Sequence, residues 1–154
     1  MSSSDRAPLT CCRGFPGVVR RVRSPFARLI ATGYCDGPTQ GLIECGACRT
    51  VYAFEMLDCD DGQDVRVFSL ASVAGTLEEL AERAAPLPPG WPVWVLVGQA
   101  AMAFGAHLEQ VRQSATVGEF VVATSDLLGE LLVWAPLGQG TSGNWFVELG
   151  LRRS

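Results

Sequence analysis

Alternating apolar and polar positions mark several strands in the first half of the chain. Residues 26–34 (FARLIATGY), 50–57 (TVYAFEML) and 65–70 (VRVFSL) are rich in β-branched and aromatic residues, as half-buried strands are. Asp60, Asp61 and Gly62 form a turn signal between the last two of these runs. The pattern therefore predicts a strand at 26–34 and a β-hairpin over residues 50–70.

The second half of the chain alternates predicted helices and strands. Thr76 is placed to cap a helix, Glu79 occupies the capping-box position, and Pro86 ends the helical pattern. Further helices are predicted at 99–113 and 126–134, and strands at 91–97, 119–124 and 144–149. This order of elements predicts an α+β fold with a β-rich front half and a mixed α/β back half.

Length and composition favour one domain with a large buried interface. A chain of 154 residues suits a single domain, for which we predict residues 25–154, preceded by a disordered basic tail at 1–24. Hydrophobic residues make up 48% of the chain and charged residues 18%, and the mean hydropathy is +0.21. The apolar excess predicts a protein partner or a homo-oligomer.

Charge is divided unevenly along the chain. Residues 1–30 hold half of the 12 basic residues, all of them arginine, while the remainder is acidic. An acidic body binds phosphate poorly, so a nucleic-acid partner is not expected, unless the N-terminal arginines bind one. The longest uncharged run, 84–108, is interrupted by prolines, so no membrane span is expected. The absence of a secretory pattern predicts a cytoplasmic protein.

The candidate chemistry lies in the cysteines. Cys35, Cys45, Cys48 and Cys59 fall within one window of 25 residues, and the middle two form a Cys-x-x-Cys step. Four thiolates close a tetrahedral zinc site, and Gly46 eases the tight turn that aims two sulfurs at one ion. The spacing predicts a structural zinc ion on these four cysteines, which makes residues 25–70 a zinc-knuckle subregion and leaves 71–154 as the mixed α/β subregion.

The residues Ile43 to Cys48, followed by Thr50 to Tyr52, resemble one knuckle of a zinc ribbon or rubredoxin. The resemblance covers residues 43–52, and it implies a metal held by Cys45 and Cys48. These families frequently place glycine after the second cysteine, where this chain has Arg49.

Other patterns have ordinary structural interpretations. Cys11 and Cys12 are interpreted as incidental thiols in the tail, and the lone His107 as a core or surface residue. Trp91 and Trp94 are interpreted as core anchors, or else as the lining of a partner-binding groove.

These observations predict a non-enzymatic, zinc-stabilised binding or accessory protein that acts through protein–protein contacts. No catalytic residue is assigned, because the sequence contains no P-loop, dinucleotide-binding or His-Glu-x-x-His motif. One alternative is a thiol-redox enzyme that uses Cys45 and Cys48. Another is a nucleic-acid-associated zinc protein that uses the N-terminal arginines.

Overall fold

The computed structural model describes residues 7–8, 11–14, 17–60, 62, 64–82, 93–114, 116–124 and 127–136. Most of them lie in β-strands. The strands are β1 (Ala7–Pro8), β2 (Gly17–Arg23), β3 (Phe26–Tyr34), β4 (Pro38–Cys45), β5 (Val51–Asp60), β6 (Val65–Val73), β7 (Val93–Val95), β8 (Thr116–Thr124) and β9 (Glu130–Pro136). The helices are α1 (Leu77–Glu82), α2 (Gly98–Ser114) and a short 3₁₀ turn, Cys12–Gly14.

The predicted α+β fold is wrong, because the described residues form a β-rich protein with one mixed sheet. Its strand order is β1-β2-β9-β8-β6-β5-β4-β3-β7. The β1–β2 and β3–β7 pairs are parallel, and all other pairs are antiparallel. Strands β8 and β9 continue the sheet from β6, so the back half of the chain is no separate α/β layer. Pairing between distant segments, which periodicity does not encode, decides this architecture.

The sheet is strongly curled. Strands β9 and β3 are five positions apart in the sheet, which in a flat sheet would separate them by about 24 Å. The rings of Phe26 on β3 and Trp134 on β9 nevertheless have centroids 5.5 Å apart. The amide of Ser24, between β2 and β3, also donates to the carbonyl of Gly129, just before β9, at 2.9 Å. The curl encloses an inner core that also contains Tyr52.

The two faces of the sheet bury different residues. Alternation along β3 sends Leu29 into the inner core and Ile30 to the opposite face. On that opposite face, α1 and α2 cover the sheet with the side chains of Leu77, Phe104 and Leu108. Among the described residues, the inner core contains none from α1 or α2. The start of β3, the end of β4 and strand β9 meet there.

Several local predictions are confirmed. Strands β5 and β6 form the predicted hairpin around the turn at Gly62, and α2 matches the helix predicted at 99–113. Helix α1 has the predicted capping box, because the Glu79 amide donates to Thr76 Oγ1 and the Thr76 amide donates to Glu79 Oε1, both at 3.1 Å.

Two segments differ from expectation. The helix predicted at 126–134 is wrong: residues from Glu130 onward form strand β9, because pairing with β2 and β8 outweighs the helical preference of a short apolar run. The segment expected to be a tail contributes β2 and the 3₁₀ turn. The predicted strand at 144–149 and the loop after Pro86 lie outside the described residues. Within the described residues, neither helix combines the length and the apolar character that a membrane crossing requires.

Candidate metal centre

Four cysteines from two distant segments converge at one end of the inner core. The sulfurs of Cys11, Cys12, Cys45 and Cys48, named here the four-cysteine cluster, all lie within 4.8 Å of one another. Cys12 and Cys45 are buried, with exposed fractions of 4% and 0%, while Cys11 and Cys48 are half-buried. The described part of the chain thus contains a group of thiols that could hold a metal ion.

The turn between β4 and β5 presents two of these sulfurs. Strand β4 ends at Cys45, whose amide donates to the Thr50 carbonyl at 2.9 Å, and the Arg49 amide donates back to the Cys45 carbonyl at 3.1 Å. Arg49 has a φ of 66°, in the left-handed region that glycine adopts most readily. The left-handed conformation of Arg49 tightens the turn, so that Cys48 lies beside the end of β4.

The segment before β2 presents the other two sulfurs. Cys12 begins the 3₁₀ turn, which the amide of Gly14 closes by donating to the Cys11 carbonyl at 3.1 Å. The Cys12 amide donates to Cys45 Sγ at 3.5 Å. Strand β2, paired with β9, holds this segment against the inner core.

Polar contacts to sulfur surround the cluster. The Tyr52 hydroxyl donates to Cys12 Sγ at 3.2 Å, Thr50 Oγ1 lies 3.1 Å from Cys48 Sγ, and Cys12 Sγ lies 3.5 Å from Cys48 Sγ. Such partners orient and tune the ligands of metal sites.

The two sulfurs in contact differ in acidity. Burial raises the pKa of the Cys12 thiol to about 12, since the ionised form loses solvation. Burial also opposes ionisation of Cys48, but hydrogen bonds from Thr50, Cys12 and Cys11 outweigh it and lower the pKa of Cys48 to about 6. At neutral pH the Cys12 thiol is thus in contact with the Cys48 thiolate.

The spacing of the sulfurs suits a tetrahedral ion. Zinc–sulfur bonds of about 2.3 Å place the sulfurs of a tetrahedral site about 3.8 Å apart. The Cys12–Cys48 contact of 3.5 Å and the outer limit of 4.8 Å bracket that value. Closing the site around an ion therefore requires side-chain shifts of roughly 1 Å, with no rearrangement of the strands.

The structure brings together only two of the four cysteines that the sequence selected. Cys45 and Cys48 belong to the cluster, and Cys35 and Cys59 do not. Cys35 is exposed on the turn after β3, and Cys59 lies in β5 opposite Arg66, whose guanidinium donates to the Cys35 carbonyl at 2.8 Å. Both are therefore at the far end of the strands, about 23–26 Å from Cys45, because an extended strand rises about 3.3 Å per residue.

Cys11 and Cys12 replace them, and the sequence contained one signal for this. The run Val18 to Arg23 (VVRRVR) is rich in β-branched residues, and it forms β2. A strand there makes the preceding cysteines part of the folded body. That they meet Cys45 depends on the curl of the sheet, for which the sequence offers no local signal.

The tryptophans proposed as a possible groove have different outcomes. Trp94 is 8% exposed and packs in the core beneath the helices, whereas Trp91 lies outside the described residues. A different tryptophan, Trp134, lines a cleft of about 310 Å³ beside the cluster and donates its indole N–H to Glu119. Cys12, Arg13 and Tyr52 also line this cleft, so the cleft borders one residue of the four-cysteine cluster.

A buried ion pair supports the turn from its other side. Glu44, next to Cys45, accepts bonds from Arg28 Nε at 2.7 Å and Arg28 Nη2 at 2.9 Å. Arg49 Nε lies 3.3 Å from the second oxygen of Glu44. Arg28 also contacts Glu78 of α1 at 2.6 Å, so charged contacts link the turn to the first helix.

Comparison with protein-family models, with curated proteins and with solved structures found no match.

Proposed function

We propose that this chain is a zinc-binding protein in which the four-cysteine cluster holds a structural ion, and that it serves as a non-enzymatic binding or accessory protein. The observation that supports this proposal is the convergence of four sulfurs within 4.8 Å from segments more than 30 residues apart. Buried cysteines without a shared ligand are not expected to cluster in this way, because contacts between neutral thiols contribute little stability.

The donor set favours zinc. Four thiolates in a tetrahedral arrangement suit zinc or iron, and zinc is the usual ion where the site serves stability. Four protein ligands also fill the coordination sphere, which leaves no position for a substrate or an activated water. A closed site of this kind supports a structural role over a catalytic one.

The position of the site indicates what the ion would stabilise. It would join the segment before β2 to the turn after β4, and so link the β2 side of the curled sheet to the β4–β5 hairpin. Structural zinc contributes on the order of 10 kcal/mol to folding. We infer that the ion keeps the curl closed and holds the N-terminal segment in place.

The apolar surface near α2 supports action through protein contacts. Val97 and Met102 are exposed by 74% and 75%, and Val95 on the neighbouring strand β7 by 41%. Exposed apolar side chains close together in sequence, at the end of β7 and the start of α2, would suit a contact surface.

A thiol-redox activity is the second candidate function. The lowered pKa of Cys48 favours it, because a thiolate is the nucleophilic form of cysteine. Cys45, the partner expected from the Cys-x-x-Cys step, is 0% exposed, so an external substrate would not reach its sulfur.

Elemental analysis of the full chain, purified without a metal-binding tag, separates the two functions when it is paired with thiol counting. The structural-zinc proposal predicts one zinc per chain, four protected thiols, and two reactive ones, Cys35 and Cys59. The redox function predicts no bound metal and a reactive thiolate at Cys48.

Matched variants identify the ligands. Cys12→Ser should lose zinc, Cys12→His should retain it because imidazole is also a zinc donor, and Cys35→Ser and Cys59→Ser should bind zinc like the parent chain. Full zinc retention in Cys12→Ser, or zinc loss in Cys59→Ser, would refute the assignment.

A further inference from the structure

We propose that Cys12 and Cys48 form an oxidisable pair, which a hydroperoxide converts to a disulfide with release of the metal ion. The inference rests on the proposed function, because it assigns a modification to the same site. Its basis is the contact of 3.5 Å between the two sulfurs, which join segments 36 residues apart.

The geometry favours this pair over pairs that include Cys45 and over the Cys11–Cys12 pair. Forming a disulfide requires the Cys12 and Cys48 sulfurs to approach from 3.5 Å to about 2.05 Å, a movement that side-chain rotation supplies. Cys45 is fully buried and its sulfur accepts the Cys12 amide, so it is the least free to move. Cys11 and Cys12 are adjacent in sequence, and a bond between neighbours would strain the backbone.

Access to the pair comes from two sides. Cys48 is half-buried in an exposed turn, between exposed Ala47 and exposed Arg49. Cys12 is buried, but it lines the cleft of about 310 Å³ beside Trp134. A molecule as small as hydrogen peroxide therefore reaches the pair, whereas a protein substrate would not enter the cleft.

The chemistry balances with a hydroperoxide as the only oxidant. The Cys48 thiolate attacks one peroxide oxygen, the O–O bond breaks, hydroxide leaves, and Cys48 becomes a sulfenic acid. Cys12 has already lost its proton on binding the ion. Its thiolate then attacks the Cys48 sulfur, the S–S bond forms, the S–O bond breaks, and a second hydroxide leaves. The two thiolates together lose two electrons, and two protons from solvent convert the hydroxides to water.

Loss of two ligands ejects the ion. Only Cys11 and Cys45 remain as sulfur donors, and a structural zinc site needs four donors. A dithiol reductant reverses the change by exchange at the new disulfide, after which zinc rebinds. The site thus couples an oxidant to release of the ion, while the new disulfide keeps the N-terminal segment joined to the turn after β4.

The test treats the zinc-loaded full chain with hydrogen peroxide and follows zinc with a chromophoric chelator, thiols by counting, and cross-links by peptide mass spectrometry. We expect two thiols to be lost per zinc released, a cross-link between the peptides that carry Cys12 and Cys48, and full recovery with dithiothreitol and zinc. A cross-link that joins Cys45 to Cys48, or Cys11 to Cys48, would overturn the proposal.

A conservative variant provides a second test of the oxidisable pair. Cys12→His keeps a zinc donor but removes one partner of the disulfide, so its zinc should resist a peroxide concentration that empties the parent chain. Release at the parental rate would refute the inference while leaving the zinc site intact. If the purified chain holds no zinc, the proposed function fails. Mapping the same cross-link in the metal-free chain then still supports or refutes the oxidisable pair.

Discussion

The backbone amide of Cys12 donates a hydrogen bond to the sulfur of Cys45 at 3.5 Å, across 33 residues of sequence. The bond links the N-terminal segment to the end of β4, so that Cys12 and Cys45 lie side by side in the four-cysteine cluster.

Removing the hydroxyl of Tyr52 should weaken metal binding without disturbing the core. Tyr52→Phe keeps the ring that packs against Phe26 and Trp134 but loses the bond to Cys12 Sγ. Because partners of metal ligands typically contribute 10- to 100-fold in affinity, we expect the zinc Kd to rise about tenfold. Competition with a chromophoric chelator measures it. Tyr34→Phe, at a site 57% exposed, is the control. An unchanged Kd in Tyr52→Phe would contradict the prediction.

Glycine should suit position 49 better than alanine. Both Arg49→Gly and Arg49→Ala remove the contact with Glu44, but only glycine relieves the left-handed backbone at φ 66°. Since this conformation costs other residues roughly 1–2 kcal/mol, we expect the glycine variant to be more stable by about 1 kcal/mol in urea unfolding. At Glu109, which is exposed in α2, the order of stability should be reversed, so that Glu109→Ala is more stable than Glu109→Gly. Equal stability of the two variants at position 49 would contradict the backbone explanation.

Substitution of glycine by alanine should destabilise the protein at Gly41 and stabilise it at Gly105. A Cβ at Gly41 would lie 1.8 Å from the Ile30 carbonyl oxygen, and β4 cannot move aside because it is paired on both edges. Gly41→Ala should therefore cost about 3 kcal/mol or more. Gly105 lies inside α2 with nothing within 4 Å of an added Cβ, so Gly105→Ala should stabilise by about 0.5–1 kcal/mol. Chemical unfolding of both variants checks the signs, and a tolerated Gly41→Ala would refute the strand pairing described for β3 and β4.

Metal affinity should increase with pH. The pKa of Cys12 is about 12, so this thiol is protonated at neutral pH and must release a proton when it binds an ion. Lowering the pH therefore weakens binding, and this one group contributes about tenfold in apparent affinity per pH unit between about pH 7 and pH 9. Cys48, with a pKa of about 6, adds to the slope only in more acidic solution. Chelator competition across this range measures the slope.

A variant provides the control for that slope. In Cys12→His the ligand has an ordinary pKa of about 6.5, so its contribution above about pH 7 should disappear. An affinity independent of pH in the parent chain would contradict the proton release expected of Cys12.

Local pattern was sufficient wherever neighbouring residues determine the structure. The hairpin around Gly62 follows from alternation and turn residues, and the cap of α1 follows from Thr76 and Glu79, which lie within one turn of each other. The Cys45–Cys48 step likewise places two sulfurs close together by its own spacing, and both belong to the cluster.

Pattern was insufficient wherever partners are distant in sequence. Residues from Glu130 onward have the composition of a short helix or of a strand, and only β2 and β8 on either side make them a strand. Cys35 and Cys59 are nearer in sequence to the Cys45–Cys48 step than Cys12 is, yet strands β3, β4 and β5 carry them to the other end of the strand pairs.

The sequence by itself determined strands β3, β5 and β6, helices α1 and α2, and the presence of a paired-cysteine turn, because those depend on contacts within a few residues. The tertiary structure alone decided that one curled sheet unites both halves, and that Cys11 and Cys12 meet Cys45 and Cys48. The physical reason is that strand pairing is made between backbones, whose hydrogen-bonding groups are the same in every residue. The choice of neighbours, and with it the set of sulfurs that meet, is settled only when the whole core packs.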